Sequence, residues 1–462
     1  MQRIFILLLL LNGSVIFSQE SDTILSLEEY LGLVKKYHPI IKQAKLITSE
    51  SEAKLLKSRG AFDPKLEVDF SRKKFKGTEY YNKLNSTFKI PTWYGIELKA
   101  NYESNDGYYL NPEFKTPDDG LYSAGVSIPL AKGLLTNKRM ATLKQAKLYT
   151  KQAQAKQQLV VNDILYNSIA SYFNWLKNYQ AKLVYKDYLL NAKTRFQNVK
   201  KSFSAGDKPA IDTLEANINL KNRLLDFEKA KIGYIKSVLE ISNYLWLENN
   251  LPIELETSII PDISTLQKID TVLNSSILNI TDNVIENHPK IQELKTKKES
   301  LSVDKRLKAN NLLPKIDLEY NFLNTDYDAI NSFNTSNYKT GLSINFPLFL
   351  RKERADLKLT KLKLQDIDFD ISVTEVSLKN KIKSILQEIE SYSIQHNILT
   401  DLVNDYKKLV TSEERKFSLG EGSLFLVNYR EVKLIEIQLK NIDTEYQLFI
   451  NKSTLLKTLG NL

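Results

Sequence analysis

Few residues in this chain could do chemistry, and their spacing narrows what that chemistry could be. His38, His288 and His396 are the only histidines, and Cys is absent. Disulfides, thiol catalysis and Cys-ligated metals are therefore excluded, as is a lipid anchor on an N-terminal Cys. His38 and His288 each precede a proline, Pro39 and Pro289. No Cys or clustered carboxylate completes a ligand set around them, so they read as polar residues capping helices that restart at proline. Glu67, Asp69, Asp317 and Glu319 invite comparison with the paired carboxylates of glycoside hydrolysis. Each acid, however, alternates with an apolar residue. Leu66, Val68 and Phe70 face away from Lys65, Glu67 and Asp69, and Ile316, Leu318, Tyr320 and Phe322 face away from Lys315, Asp317, Glu319 and Asn321. Period-two alternation describes strands with one wet and one apolar face. The acids then belong to a wet surface, either the lumen of a barrel, where they favour cations and Lys65 and Lys315 offset part of the effect, or the solvent face of a soluble half-buried sheet, which shows the same alternation. No nucleophile elbow, phosphate loop or zinc helix motif is present, so no enzyme activity is expected, and no cofactor or metal.

The elements that position these residues come from a chain of 462 residues, 42% hydrophobic and 26% charged, enough apolar surface to form a core. The net charge of +10 is spread among mixed signs without long like-charge runs, which describes solvated helix faces and not a nucleic-acid surface. The start has a basic residue, an apolar run from Ile4 to Leu11 and small residues to Ser18. This is the pattern of a secretory signal peptide over 1–18. Beyond it no apolar run suits a transmembrane helix, so a membrane location would require strands closed into a barrel.

Most informative is an internal duplication. His38-Pro39 recurs as His288-Pro289, Phe62 to Phe70 as Leu312 to Tyr320, Gly125 to Leu130 as Gly341 to Leu348, and Lys201 to Asp207 as Arg415 to Glu421. Four landmarks in one order define a first repeat over 19–246, a linker over 247–287 and a second repeat over 288–462. Each repeat reads helix, strand, strand, long helix, glycine turn, returning helix. The strands are expected at about 64–74 and 120–130, then at about 314–323 and 337–347. Runs without Gly or Pro predict helices over about 136–205 and 352–418, and the helices return over 211–246 and 424–459 after turns at Gly206 and Gly420. Seventy residues of helix would reach roughly 100 Å. The first repeat also carries an insertion, with a hairpin over about 85–104, read as an extra hairpin near the cell exterior; its alternation leaves open that it enters the barrel and enlarges it.

The order of elements, the pairing of halves and the segments Leu27 to Pro39, Ser127 to Gly133, Gly206 to Ala216 and Asn345 to Phe349 resemble the TolC family of outer-membrane efflux and secretion channels. The resemblance covers roughly Ser26 to Leu459. It implies an α+β membrane protein, a homotrimer in which about four strands per protomer form a shared twelve-stranded barrel continuing into a helical coiled-coil periplasmic tunnel. It implies a passive role in efflux or type I secretion, with a periplasmic adaptor (membrane fusion protein) and an inner-membrane pump as partners. Gly206, Asp207, Gly420 and Glu421 would form the periplasmic tip that meets the adaptor. Asp212 and Glu215 would line a constriction, with Leu426 and Tyr429 at the matching places of the second half, a less acidic tip than the family pattern. Asp212 also reads as a first-turn acid favoured by the helix dipole. The alternative reading is a secreted or surface coiled-coil structural or adhesive protein, which leaves the strands in both halves unexplained.

Overall fold

The structure, a computed structural model, describes residues 23–265, 282–326 and 335–462. The signal-peptide segment and part of the linker lie outside the described residues. The helices are α1 (Leu27–Tyr37), α2 (Pro39–Arg59), α3 (Lys138–Ser204), α4 (Ala210–Ser242), α5 (Asp282–Glu286), α6 (Pro289–Asn310), α7 (Arg351–Ser418) and α8 (Leu424–Leu459). The strands are β1 (Ile24–Leu25), β2 (Lys65–Phe75), β3 (Thr78–Pro91), β4 (Glu97–Asp106), β5 (Leu121–Pro129), β6 (Ile260–Pro261), β7 (Lys315–Asn324) and β8 (Tyr338–Asn345). With 67 and 68 residues, α3 and α7 run without a single Gly or Pro to interrupt them. By contrast α4 stops at Ser242, short of 246, because the chain folds back there and Trp246 pairs with Pro252 in an isolated bridge.

Two compact units can be distinguished. The first comprises Met1–His38, Leu165–Ile277 and Gln387–Ser453; the second comprises Pro39–Ile164, Leu278–Leu386 and Thr454–Leu462. The first unit is helical, with a small parallel pairing of β1 and β6. Helix α1 begins with a capping box: the Glu29 N–H donates to Ser26 Oγ (3.2 Å) and the Ser26 N–H to Glu29 Oε2 (3.1 Å). Its apolar side, Leu27, Tyr30 and Val34, is buried, and Tyr30 packs on Tyr172 of α3 at 5.7 Å between ring centroids. The Tyr172 hydroxyl donates to the Leu25 carbonyl (2.9 Å) and accepts from the Asp262 N–H (3.2 Å), which ties β1 and the start of the linker to the helix. Farther along this core, Phe173 meets Phe449 at 5.2 Å and Tyr179 meets Tyr234 at 5.8 Å.

The second unit holds a six-stranded sheet in the order β2-β3-β4-β5-β7-β8. Four strands per chain are expected from the duplication alone; the insertion supplies the other two. Every neighbouring pair is antiparallel. β2 does not pair with β5. A two-residue turn at Lys76 and Gly77, both with positive φ (48° and 81°), sends the chain back as β3, the geometry that suits a tight hairpin. The inserted hairpin thus spans Thr78–Pro91 and Glu97–Asp106 and stands between the strands the duplication would have joined. The two halves of the chain meet where β5 pairs with β7, from Tyr122 opposite Asn324 to Pro129 opposite Asp317.

Candidate functional site

The sheet sorts its side chains by polarity. On one face the register aligns Leu66 with Phe88, Phe88 with Ala100, Leu98 with Val126, Val126 with Tyr320 and Leu318 with Leu342. This apolar face is bare along both outer strands: Leu66 is 70% exposed, Phe70 65%, Leu342 61% and Ile344 66%. Aromatic pairs, Tyr102 with Tyr122 (4.8 Å) and Tyr320 with Tyr338 (5.6 Å), lie toward the sheet end that carries the loop after β4. An apolar band with aromatics at its margin is the pattern of a lipid-facing barrel wall.

The opposite face is charged. Over its regular register Lys65, Lys73, Lys83, Lys89, Lys99, Lys315 and Lys339 share it with Glu67, Asp69, Glu97, Glu103, Asp317 and Glu319. Glu67 pairs with Lys89, Glu319 with Lys99 (2.8 Å), Asp317 with Lys315 (3.0 Å) and Glu97 with Arg139 of α3 (2.7 Å). Asp69 lies on the same face opposite Asn85. A cleft of about 310 Å³ here is lined by Lys89, Lys99, Asn101, Glu319 and Lys339 among others. The four carboxylates named from the sequence therefore do stand on one face, the charged one. The hairpin lysines Lys89 and Lys99 balance them, which the sequence reading missed because Lys99 and Glu319 are 220 residues apart. The acid-rich surface expected from β2 and β7 becomes a nearly neutral one. Lys99 reaches Glu319 across Gly125, the β5 residue between them, where an added Cβ would run into the Tyr320 carbonyl oxygen and Asn321.

In the first unit the two glycine turns are built alike. The Gly206 N–H donates to the Phe203 carbonyl and the Asp207 N–H to that of Ser202, both at 3.0 Å. The Gly420 N–H donates to Phe417 (3.2 Å) and the Glu421 N–H to Lys416 (3.0 Å). Both glycines have positive φ, 87° and 79°, and both turns are Schellman motifs that close a helix end. After the turns, Asp212 lies in the first turn of α4, and Glu215 accepts from Asn428 Nδ2 of α8 (3.1 Å). Tyr429 stacks on Phe425 (6.3 Å), and Leu426 and Tyr429 are 38% and 48% exposed. Beyond them lies a group the sequence did not disclose. Arg195 of α3 bridges Glu414 (2.8 Å) and Glu431 (2.7 Å), and Arg223 of α4 bridges Glu431 (3.4 Å) and Asp226 (3.3 Å). The Glu431 side chain is 1% exposed. One buried carboxylate thus joins α3, α4 and α8, with α7 attached through Glu414.

His38 and His288 stand at helix ends, while His396 lies within α7. The His38 N–H closes α1 on the Val34 carbonyl (3.1 Å), and His288 Nδ1 accepts from the Lys290 N–H (3.1 Å) at the start of α6. Burial pushes both imidazoles below their usual pKa, against an opposing hydrogen bond that each ring donates to the backbone, of Asn243 and Thr458 respectively. Among the described residues no group of three or more His, Asp or Glu is placed to hold a metal, and no helix is long and apolar enough to cross a membrane.

Known structures match this arrangement over almost its whole length. The CmeC outer membrane channel of Campylobacter jejuni superposes with a TM-score of 0.66 at 15% identity, covering 94% of this chain and 85% of that one. The fold is that of the TolC-type outer-membrane channels. The VceC outer membrane protein of Vibrio cholerae agrees equally (TM-score 0.66, 11% identity, 94% of this chain and 95% of that one). So does the open state of the MtrE outer membrane channel of Neisseria gonorrhoeae (TM-score 0.65, 13% identity, 94% and 88%). No protein-family model matches the chain. A serine–tRNA ligase of Saccharolobus islandicus (strain Y.G.57.14 / Yellowstone #1) is 32% identical over 114 residues, which are 25% of this chain and only 22% of that protein. That likeness is confined to a segment and carries no argument about activity. The TolC-like fold accounts for both the strand pairs and the two helical returns.

Proposed function

We propose that this chain is a passive duct of the outer membrane, conducting cargo from an inner-membrane pump and its periplasmic adaptor to the exterior, in efflux or in type I secretion. The observation that carries the reading is the sheet, with an apolar band across one face, charges over the other and both edges unpaired. Such a sheet has no stable resting place as a monomer. In lipid every backbone group must be paired, and closure by rotational symmetry achieves this. The channel fold supports three copies around one axis, with the apolar face toward lipid, the charged face toward a water-filled lumen and the helices in the periplasm. In this reading Gly206, Asp207, Gly420 and Glu421 lie at the periplasmic tip where the adaptor docks. Asp212, Glu215, Leu426 and Tyr429 stand next to the constriction, and the protein contributes passage and no chemistry of its own.

The test is fractionation followed by reconstitution. We expect the protein in outer membranes, a detergent-purified particle with the mass of three copies, and discrete conductance steps in a planar lipid bilayer. Recovery as a soluble single-copy periplasmic protein without a pore would refute the reading.

A further inference from the structure

The sheet ends in two open edges, β2 and β8, each exposed along its full length. An unpaired edge is a template for another chain. Because every neighbour is antiparallel and the strands number six, β2 and β8 run in opposite directions, so the β8 of one copy can pair with the β2 of the next without breaking the pattern. The internal duplication supplies the register. β2 corresponds to β7, with Val68 matching Leu318 and Phe70 matching Tyr320; β5 corresponds to β8, with Val126 matching Leu342 and Ile128 matching Ile344. Where the two halves meet inside one chain, Val126 lies opposite Tyr320 and Ile128 opposite Leu318.

We propose that the seam between copies repeats this internal seam, with Leu342 opposite Phe70 of the next copy and Ile344 opposite its Val68, and that the inserted hairpin is part of the barrel wall. The inference rests on the duct reading above. Three copies of six strands then close at eighteen, not twelve. The register keeps apolar residues together on the outside and sets Ser343 beside Asp69 on the inside. It also explains a glycine. Gly125 leaves room for Tyr320 and Asn321 at the internal seam, while Gly341, its counterpart, faces open space at the edge of β8, where the neighbouring β2 would come. The hairpin is held at its inner turn as a built-in element. Trp93 stacks on Phe62 (5.7 Å), and the Trp93 carbonyl accepts from Asn137 Nδ2 (2.8 Å). Barrel diameter grows roughly linearly with strand number, so the mouth is about half as wide again as a twelve-stranded one. Selection among solutes then falls to the pump and the helical end, not to the mouth.

The chain has no cysteine, so paired substitutions report on single distances. In outer membranes treated with a short thiol–thiol crosslinker, Phe70→Cys with Leu342→Cys should give a ladder of two and three linked chains. Val68→Cys with Val126→Cys should stay unlinked, because β2 and β5 stand three strands apart, about 14 Å at the usual strand spacing. In a four-strand protomer those two residues would be direct neighbours, as their counterparts Leu318 and Leu342 are. An intrachain link through Val68 and Val126 in an assembled trimer overturns the eighteen-strand wall and leaves the duct reading intact. Assembled trimers that do not link through Phe70 and Leu342, while the single-cysteine variants assemble normally, overturn the register. Absence of any membrane trimer from the unsubstituted protein overturns the duct reading itself.

Discussion

At the scale of single residues, the decisive groups are those withdrawn from water. Glu431 holds Arg195 and Arg223 together while its own side chain is 1% exposed. Removing one member of a buried pair leaves charge without compensation, at a cost of about 3–5 kcal/mol. Glu431→Ala should therefore lower the thermal midpoint of helix loss by circular dichroism, and a loss no larger than that of a surface change such as Asp405→Ala would refute this role. Glu445 is the second case. Burial pushes its carboxyl up to about 7, against a hydrogen bond to Gln180 that favours the charged form. The folded-state value lies above the unfolded one, so its contribution is fully present below about pH 4.5 and is lost as pH rises through about 7. Glu445→Gln should flatten this stretch of the stability–pH curve and make the protein more stable at pH 8 by roughly 1–2 kcal/mol. Denaturant melts across pH 4–8 measure this directly, and parallel curves for the two proteins would contradict it. Neither group was legible in the sequence. A glutamate on a long helix looks solvated until its partner is known, and Arg195 and Glu431 are 236 residues apart.

At the scale of elements, legibility follows the range of the forces involved. The turns at Gly206 and Gly420 depend on local backbone geometry, and glycine announces them. Strand faces were equally plain, since alternation at period two is local. Strand partners were not. The alternation of Phe88 to Ile90 and of Leu98 to Tyr102 says that each is a strand with one apolar side, yet nothing in it distinguishes pairing with β2 and β5 from standing apart. The order of strands in the sheet is decided by backbone hydrogen bonds and by ion pairs such as Lys99 with Glu319 that span both repeats. A substitution at the turns tests their role. Gly420→Pro demands φ near −65° where the chain has 79°, and it removes the N–H that donates to Phe417. The six-stranded sheet contains neither feature. We expect variant trimers to assemble at normal levels while export of the pump's cargo is lost, measured as intracellular accumulation beside an assay of the membrane-inserted trimer. Unimpaired export by Gly420→Pro and by Gly206→Pro would remove the tip assignment.

At the scale of the whole molecule, one question organises the rest: whether the two faces of the sheet meet lipid and water. Adjacent residues of β5 answer it. Val126 stands between Leu98 and Tyr320 on the apolar face, and Ser127 stands between Glu97 and Glu319 on the charged one. A lysine at either position adds the same charge to the same strand; Val126→Lys also gives up a strand-favouring β-branched residue, a difference of at most about 1 kcal/mol. The larger difference is the medium. On a lipid-facing wall Val126→Lys costs about 2–4 kcal/mol near the bilayer midplane, falling to about 0–1 kcal/mol near an interface. Ser127→Lys meets two carboxylates and a water-filled lumen and should be nearly neutral. The amount of folded trimer recovered from outer membranes should therefore fall sharply for Val126→Lys and stay near the unsubstituted level for Ser127→Lys. Moving the lysine within the apolar face, to Leu98 on β4, should reproduce the loss, since β4 shares the same wall. Equal tolerance at Val126 and Ser127 would mean that both faces are wet. The sheet would then belong to a soluble assembly, and the TolC-like fold would be serving some purpose other than a pore.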